Sequence, residues 1–483
     1  MILPLLALAL TTQQIDTMAL RAHTRFLSSD LLQGRGTGTL GERIAAQYIE
    51  AQLLEMGLHA RSDSFSQSVP LKQAHIDAAR LVVRAGPDSA VFSTTDFVIN
   101  TGGERALRNF AGSAVFVGTV EHARAANDAT LAGQVLVIAG TLGADAQLLV
   151  PRWLKAGVQA VILLIPDSAQ FQLFSRSRGE ARYFIASEVN EPIWQSALPM
   201  VLAGPRLLRA LTPEIGALMS QLSRNGTMAP VALQRRIELS VQTTVRDLPT
   251  RNLIGFVPGS DPRLRGQYVI YTAHYDHLGI STPDARGDSI YNGFSDNAAG
   301  VAMLLAIAQD MKRSPPARSV AFLFLTGEER GLLGATYYVS NPVIPLDSTV
   351  AVINLDAGAP PAPPVEWRIA GGTSNALGAM AQRIGTRHGW KVDLSEPSPN
   401  SDYWSFHTHQ VPAVFIVPGA RWENTTDAQR DALRARWDRY HRADDEWSAQ
   451  FPFSGLRRYA EFALELGRSA AAVTATNREA PGF

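Results

Sequence analysis

The chain has 483 residues, more than one typical domain holds, so two or three domains are expected. Hydrophobic residues make up 46% and charged residues 18%, an ordinary globular balance, and Lys+Arg equals Asp+Glu at 44 each, which excludes a net pull toward nucleic acid or an anionic membrane surface. There is no cysteine, so disulfides and thiolate metal sites are excluded and any metal must be held by His, Asp and Glu, a donor set suited to zinc, cobalt or manganese.

Along the chain, Ile2–Leu10 is an apolar run followed by polar Thr11–Gln14. It is too short to span a bilayer and reads as an export signal over residues 1–14, lacking the usual preceding Arg or Lys. A secreted or periplasmic protein is expected, with no other segment reading as transmembrane. Residues 15–58 read as helices: Leu20, Ala22, Phe26 and Leu27 start one apolar stripe, and Ile44, Tyr48, Ile49, Leu53 and Leu54 form another. Between them, Gly34–Gly38 is a glycine-rich turn with no Lys-Ser/Thr to make it a phosphate loop.

From Phe110 to Pro230 short β-rich runs appear (113–118, 134–139, 158–165, 198–202), with a helix over 146–156 between the second and third. This predicts a separate α/β insert over 110–230, dividing one domain into an N-terminal part, 15–109, and a C-terminal part, 231–483. Strand patterns follow at 237–244 and 252–257. From Gln267 strands (267–273, 319–325, 349–355, 413–417) alternate with helices (297–311, 332–339, 375–388, 456–472). Such alternation predicts an α/β fold with a mainly parallel mixed sheet flanked by helices. Pro360–Pro364 reads as a stiff loop, and the charged run 427–439 as a solvated helix.

Five spots in this half lie at strand ends or in loops, and open α/β sheets bind ligands at the carboxyl edge of the strands. In Thr272–His277, His274 ends a strand, and Asp276, two residues on, is placed to accept the other ring N–H of a metal-bound histidine. In Ser295–Gly300, Asp296 opens a helix, either as an N-cap or as a carboxylate bridging two cations. In Thr326–Gly331, an apolar strand runs into adjacent Glu328 and Glu329, whose side chains diverge in an extended chain. Two buried acids without a cation would be costly. In Ile353–Gly358 a strand ends in Asp356, and Tyr440–Glu446 carries His441 and Asp445 in a polar loop. Each alone reads as a turn, cap or surface residue. Together they suggest one ion on His274, Asp296 and Asp356 and another on Asp296, Glu329 and His441, with the ions ~3.5–4 Å apart as in two-metal hydrolases. Glu328 is then free as a general base.

The order His-x-Asp, Asp-Asn-Ala-Ala-Gly, Gly-Glu-Glu-x-Gly, Asp and Tyr-His resembles the co-catalytic zinc peptidase family M28 of bacterial secreted aminopeptidases and glutamate carboxypeptidases. The resemblance covers Asn252–Ala472 and the N-terminal helices. It implies a zinc-peptidase fold, two Zn2+ ions held by His274, Asp296, Glu329, Asp356 and His441, Glu328 as the base, and peptide substrates. The region 110–230 resembles the protease-associated insert of many members. Ser401–Asp402–Tyr403 matches a family Ser-Asp-His segment except at Tyr403, which implies a role for Asp402 behind the ligands. Tyr440, next to His441, is expected to stabilise the oxyanion. His277 reads as a packing neighbour, as do the remaining histidines as core or surface residues. Release of N-terminal residues is the expected activity. A carboxypeptidase using Arg368, Arg421 or Arg442, and a glutaminyl cyclase, stay open.

Overall fold

The protein is described here by a computed structural model covering residues 15–472, apart from 61–62, 101–106, 141–148, 166, 168, 170, 173–180, 187–197, 212–214 and 226–228. The leader expected over 1–14, and the first residues of the helix expected over 146–156, lie outside these described residues. Two compact units form: Met1–Pro70 with Pro249–Phe483, and Leu71–Leu248.

In the larger unit the sheet runs in the order 391–395, 366–370, 413–418, 349–354, 268–274, 319–325, 253–257. The four strands Ala413–Pro418, Thr349–Asn354, Tyr268–His274 and Ser319–Leu325 are mutually parallel; Glu366–Ala370 is antiparallel to Ala413–Pro418 and parallel to Lys391–Ser395, and 253–257 is antiparallel to Ser319–Leu325. This is the mainly parallel mixed sheet the alternation predicts. Every residue of Ser319–Leu325 is buried, as expected for a strand covered on both faces. The helix Ala299–Arg313 is buried on nearly all sides, because its apolar residues are not confined to one stripe. It shares a core with the helices Thr17–Leu27, Leu40–Glu55 and Ser454–Ala472. The 427–437 helix has no buried residue, in keeping with its charge.

Register decides what meets at the carboxyl edge. His274 pairs with Leu325, and Thr272 with Asn354. Asp356 therefore leaves its strand level with His274, and Glu328 follows three residues beyond Leu325.

The smaller unit carries parallel strands 107–116, 135–139, 160–164 and 200–203, with 97–100 antiparallel beside 200–203 and 231–242 antiparallel beside 107–116. Val135, Val137 and Ala139 join one core while Leu136 and Ile138 join another, so successive side chains feed opposite faces. This unit is wider than the expected 110–230. The strand Ser66–Ala85 pairs with Asp88–Ser93 and with Arg182–Ile185, which draws residues from 71 onward into it. Likewise Val231–Val257 is one strand rather than two, continuing through the consecutive exposed residues Arg246 and Asp247.

Candidate metal centre

The five spots converge on one edge of the larger unit. His274 Nε2 lies 2.9 Å from Asp356 Oδ1 and 3.1 Å from Asp296 Oδ1. His441 Nε2 lies 3.1 Å from Asp296 Oδ2 and 3.3 Å from Glu329 Oε2. Asp296 thus turns one oxygen to each histidine. The sequence left open whether this aspartate caps the next helix. It does not: the helix begins at Ala299 without a side-chain cap, while Asn297 Oδ1 accepts from Gly300 N at 3.0 Å and Asn297 Nδ2 donates to Leu355 O at 2.9 Å. The Asp296–Asn297 peptide is cis.

Glu328 and Glu329 do diverge, but not because the chain is extended. They sit in a 3-10 turn that follows Gly327 at φ 65°. Glu328 comes within 4.0 Å of His274, whereas Glu329 faces His441 and His277. Sequence reasoning passed over His277, yet it is fully buried with Nδ1 2.6 Å from Glu329 Oε1. The signal available was its place three residues after His274 in a strand-end motif.

The supporting residues also fall close by. Asp445 accepts from Ser295 N and Oγ and from Asp296 N, and so holds the Asp296 loop. Asp356 Oδ2 accepts from Ser401 Oγ at 2.5 Å; Ser401 Oγ accepts from Asn354, and Asn354 from Thr272. Asp276 departs from its expected part. The nearest acceptor to His274 Nδ1 is the main-chain carbonyl of Asp276 at 3.1 Å, with the carboxylate 3.6 Å away. That carboxylate takes Thr37 Oγ1 at 2.7 Å and Glu328 N at 3.2 Å instead, two donors that draw it aside. Asp402 is buried beside Ser401, and neither of its carboxylate oxygens has a hydrogen-bond partner. Tyr403, where the resembling pattern has histidine, is turned into the core, its hydroxyl accepting from Ser398 N.

Electrostatics follow from this crowding. Burial pushes Glu328 up to about 10; His274 opposes this, and Asp356, Asp402 and Glu329 add to it. Asp356 and Asp402 are raised too, chiefly by burial. Burial would also raise Glu329, but hydrogen bonds to His277 and His441 outweigh it and hold the group at about 2. His441 rises to about 10 against the cost of burial, through Asp296 and Glu329. A cluster of acids in which burial, aided by mutual repulsion, favours the protonated form is one that a multivalent cation would relieve. The donor sets suit one: His277, Asp296, Glu329 and His441 offer atoms within 4.8 Å of one another, as do His274, Glu328 and Asp356. These residues fit metal ions of the nitrogen- and oxygen-binding kind.

Beside them opens a cleft of ≈ 560 Å³ bordered by Asp296, Asp356, Phe415, Trp422, Trp437 and Tyr440. Tyr440 is 66% exposed and stacks on His441 with ring centroids 3.8 Å apart.

Residues 252–466 match the sequence profile of peptidase family M28. A vacuolar membrane protease of Kluyveromyces lactis is 35% identical over 121 residues, 25% of this chain and 12% of that protein. A probable leucine aminopeptidase 2 of Aspergillus oryzae is 25% identical over 231 residues, 43% of this chain and 42% of its own. The chain thus spans less than half the length of these curated relatives. Among solved structures, an aminopeptidase from Aneurinibacillus sp. strain AM-1 superposes with TM-score 0.59 at 19% identity, covering 97% of both chains. A Bacillus subtilis zinc aminopeptidase gives 0.51 at 16%, covering 95% of this chain and 96% of its own. The fold is shared with both. The matched segment carries the whole carboxylate–histidine edge, so that edge lies in the part of the chain that is similar to peptidase family M28.

Proposed function

We propose that the protein is a di-zinc aminopeptidase. The observation that carries this reading is Asp296, whose two oxygens each face a different histidine within 3.1 Å, as a carboxylate shared by two ions requires. His274, Asp296 and Asp356 would hold one ion, and Asp296, Glu329 and His441 the other. Bound zinc supplies Lewis-acid polarisation of the scissile carbonyl and lowers the pKa of water. Glu328, directed toward His274 and not committed to His441, takes the proton of the attacking water and delivers it to the leaving amine. Tyr440, at the rim of the cleft, donates to the negative charge developing on the carbonyl oxygen. Asp276 and Asp445 hold the loops that present these groups, and Asp402 stands behind Asp356.

The names of the similar proteins support an aminopeptidase rather than a carboxypeptidase. Of the arginines considered for a terminal carboxylate, Arg368 borders the cleft together with Arg434 and Arg439, and Arg442 is engaged by Asp444 at 2.7 Å, so arginine placement does not itself decide the direction of attack. Export, proposed from the apolar N-terminal run, fits such a role. Metal analysis of the purified protein by plasma mass spectrometry tests the reading: two zinc ions per chain are expected, with peptidase activity lost on chelation and restored by zinc. A protein that hydrolyses peptides equally well without metal contradicts it.

A further inference from the structure

Arg35 is an arginine buried to 1% exposure, and it lies outside the segment 252–466 that carries the site. Its five N–H groups find five main-chain carbonyls. Nε donates to Tyr275 O at 2.9 Å; Nη1 donates to Leu27 O and, at 2.6 Å, to Asn292 O; Nη2 donates to Gly293 O at 3.0 Å and Asp296 O at 3.4 Å. Burying a guanidinium is costly unless every donor is met, and here every donor is met by backbone. Four of the five carbonyls belong to the two loops that matter, and the fifth, Leu27 O, ends the helix Thr17–Leu27: Tyr275 stands between His274 and His277, while Asn292, Gly293 and Asp296 lie along the bridging-aspartate loop.

The rest of the turn continues the pattern. The Arg35 carbonyl accepts from His277 N at 3.1 Å, and Gly36 bridges to His277. A side chain at Gly34 would meet the Tyr291 and Gly279 carbonyls at 2.4 and 2.6 Å, so this close approach needs glycine. Thr37 Oγ1 donates to Asp276 Oδ2 at 2.7 Å, and Asp276 Oδ1 accepts from Glu328 N. One turn therefore touches the supports of His274, His277, Asp296 and Glu328.

We propose that the Arg35–Thr37 turn is a positioning element for the metal centre. The planar Arg35 fork sets the spacing of the His274 and Asp296 loops through their main chains, and the Thr37 hydroxyl fixes the Asp276 carboxylate that holds the turn carrying Glu328 and the ligand Glu329. The inference rests on the ligand assignment above. A lysine cannot replace the fork, since its ammonium has three donors on a flexible stem.

The test is zinc affinity of the folded protein, measured by titrating metal-free enzyme with Zn2+ against a competing chelator, alongside circular dichroism and the thermal midpoint. Arg35→Lys and Thr37→Val should each bind Zn2+ about 10–100-fold more weakly, the usual loss when a partner behind a ligand is removed. Thr37→Ser, which keeps the hydroxyl, should bind like the natural protein. A merely structural turn would lower the thermal midpoint and leave the zinc affinity of the folded variants unchanged, and that result overturns the proposal. Should Arg35→Lys fail to fold, the Thr37→Val and Thr37→Ser pair decides alone: equal affinities overturn it. If the natural protein itself binds no zinc, the di-zinc reading falls and this one with it; natural zinc binding with unaltered variants sinks this inference only.

Discussion

Glu328 and Glu329 are neighbours in sequence, yet they face different histidines, and the account depends on that division. Glu328→Gln keeps size and shape but accepts no proton. It should retain both ions while the turnover number falls about 10²–10⁴-fold, the usual worth of a general base. Glu329→Gln puts a neutral amide where an anionic donor faces His441 and His277, so it should retain one ion poorly and recover part of its activity with added metal. Plasma mass spectrometry on both proteins decides; loss of an ion from Glu328→Gln with two kept by Glu329→Gln reverses the roles. The pair was legible because two acids directly after an apolar strand have few bland explanations. His277 was less legible, since its place three residues after His274 marks a motif neighbour without telling a histidine that orients a carboxylate from one that packs. Arg35 was hidden for a related reason: its partners are backbone carbonyls, which leave no mark on residue type.

The helices Thr17–Leu27 and Leu40–Glu55 meet through Phe26 stacked on Tyr48 at 4.2 Å and His23 Nδ1 2.8 Å from the Tyr48 hydroxyl. Burial lowers the His23 pKa to about 4, with Asp16 opposing in part. In the unfolded chain this imidazole takes a proton near its ordinary 6.5. Between that value and about 4 the unfolded state binds more protons than the folded one, so stability falls as pH falls through this window. Replacing His23 by Gln should make the thermal midpoint fall less steeply between pH 6.5 and about 4 than in the natural protein. Comparing the two proteins removes the opposing contribution of raised carboxylates such as Asp445. An unchanged slope contradicts the assignment. Elements of this kind were readable where periodicity is strong: the strand 319–325 falls as expected, and the helix expected from 375 runs Ala376–His388. The strands Glu366–Ala370 and Lys391–Ser395 were missed. Both are short, and each contains a charged residue that breaks an apolar run.

Each of the two compact units buries cores of its own, 71–248 around Phe97, Phe116 and Trp153 and the larger unit around its parallel sheet. All the proposed ligands lie in the larger unit. Replacing Leu71–Leu248 by a flexible linker should therefore leave two ions per chain; a folded product short of an ion would mean that the smaller unit supplies a ligand. The unit reaches further than 110–230 because 71–74 and 97–100 pair with strands about a hundred residues further on, at 182–185 and 200–203, beyond any local pattern. The central claim, that the metal edge and its cleft act on free N-termini, is tested most directly by one digest. The metal-loaded protein is given an unblocked peptide and its N-acetylated twin, and the products are read by mass spectrometry. Stepwise loss of residues from the N-terminus of the free peptide, with the acetylated one intact, is the expected result. Equal cleavage of both, or loss from the C-terminus, would contradict it.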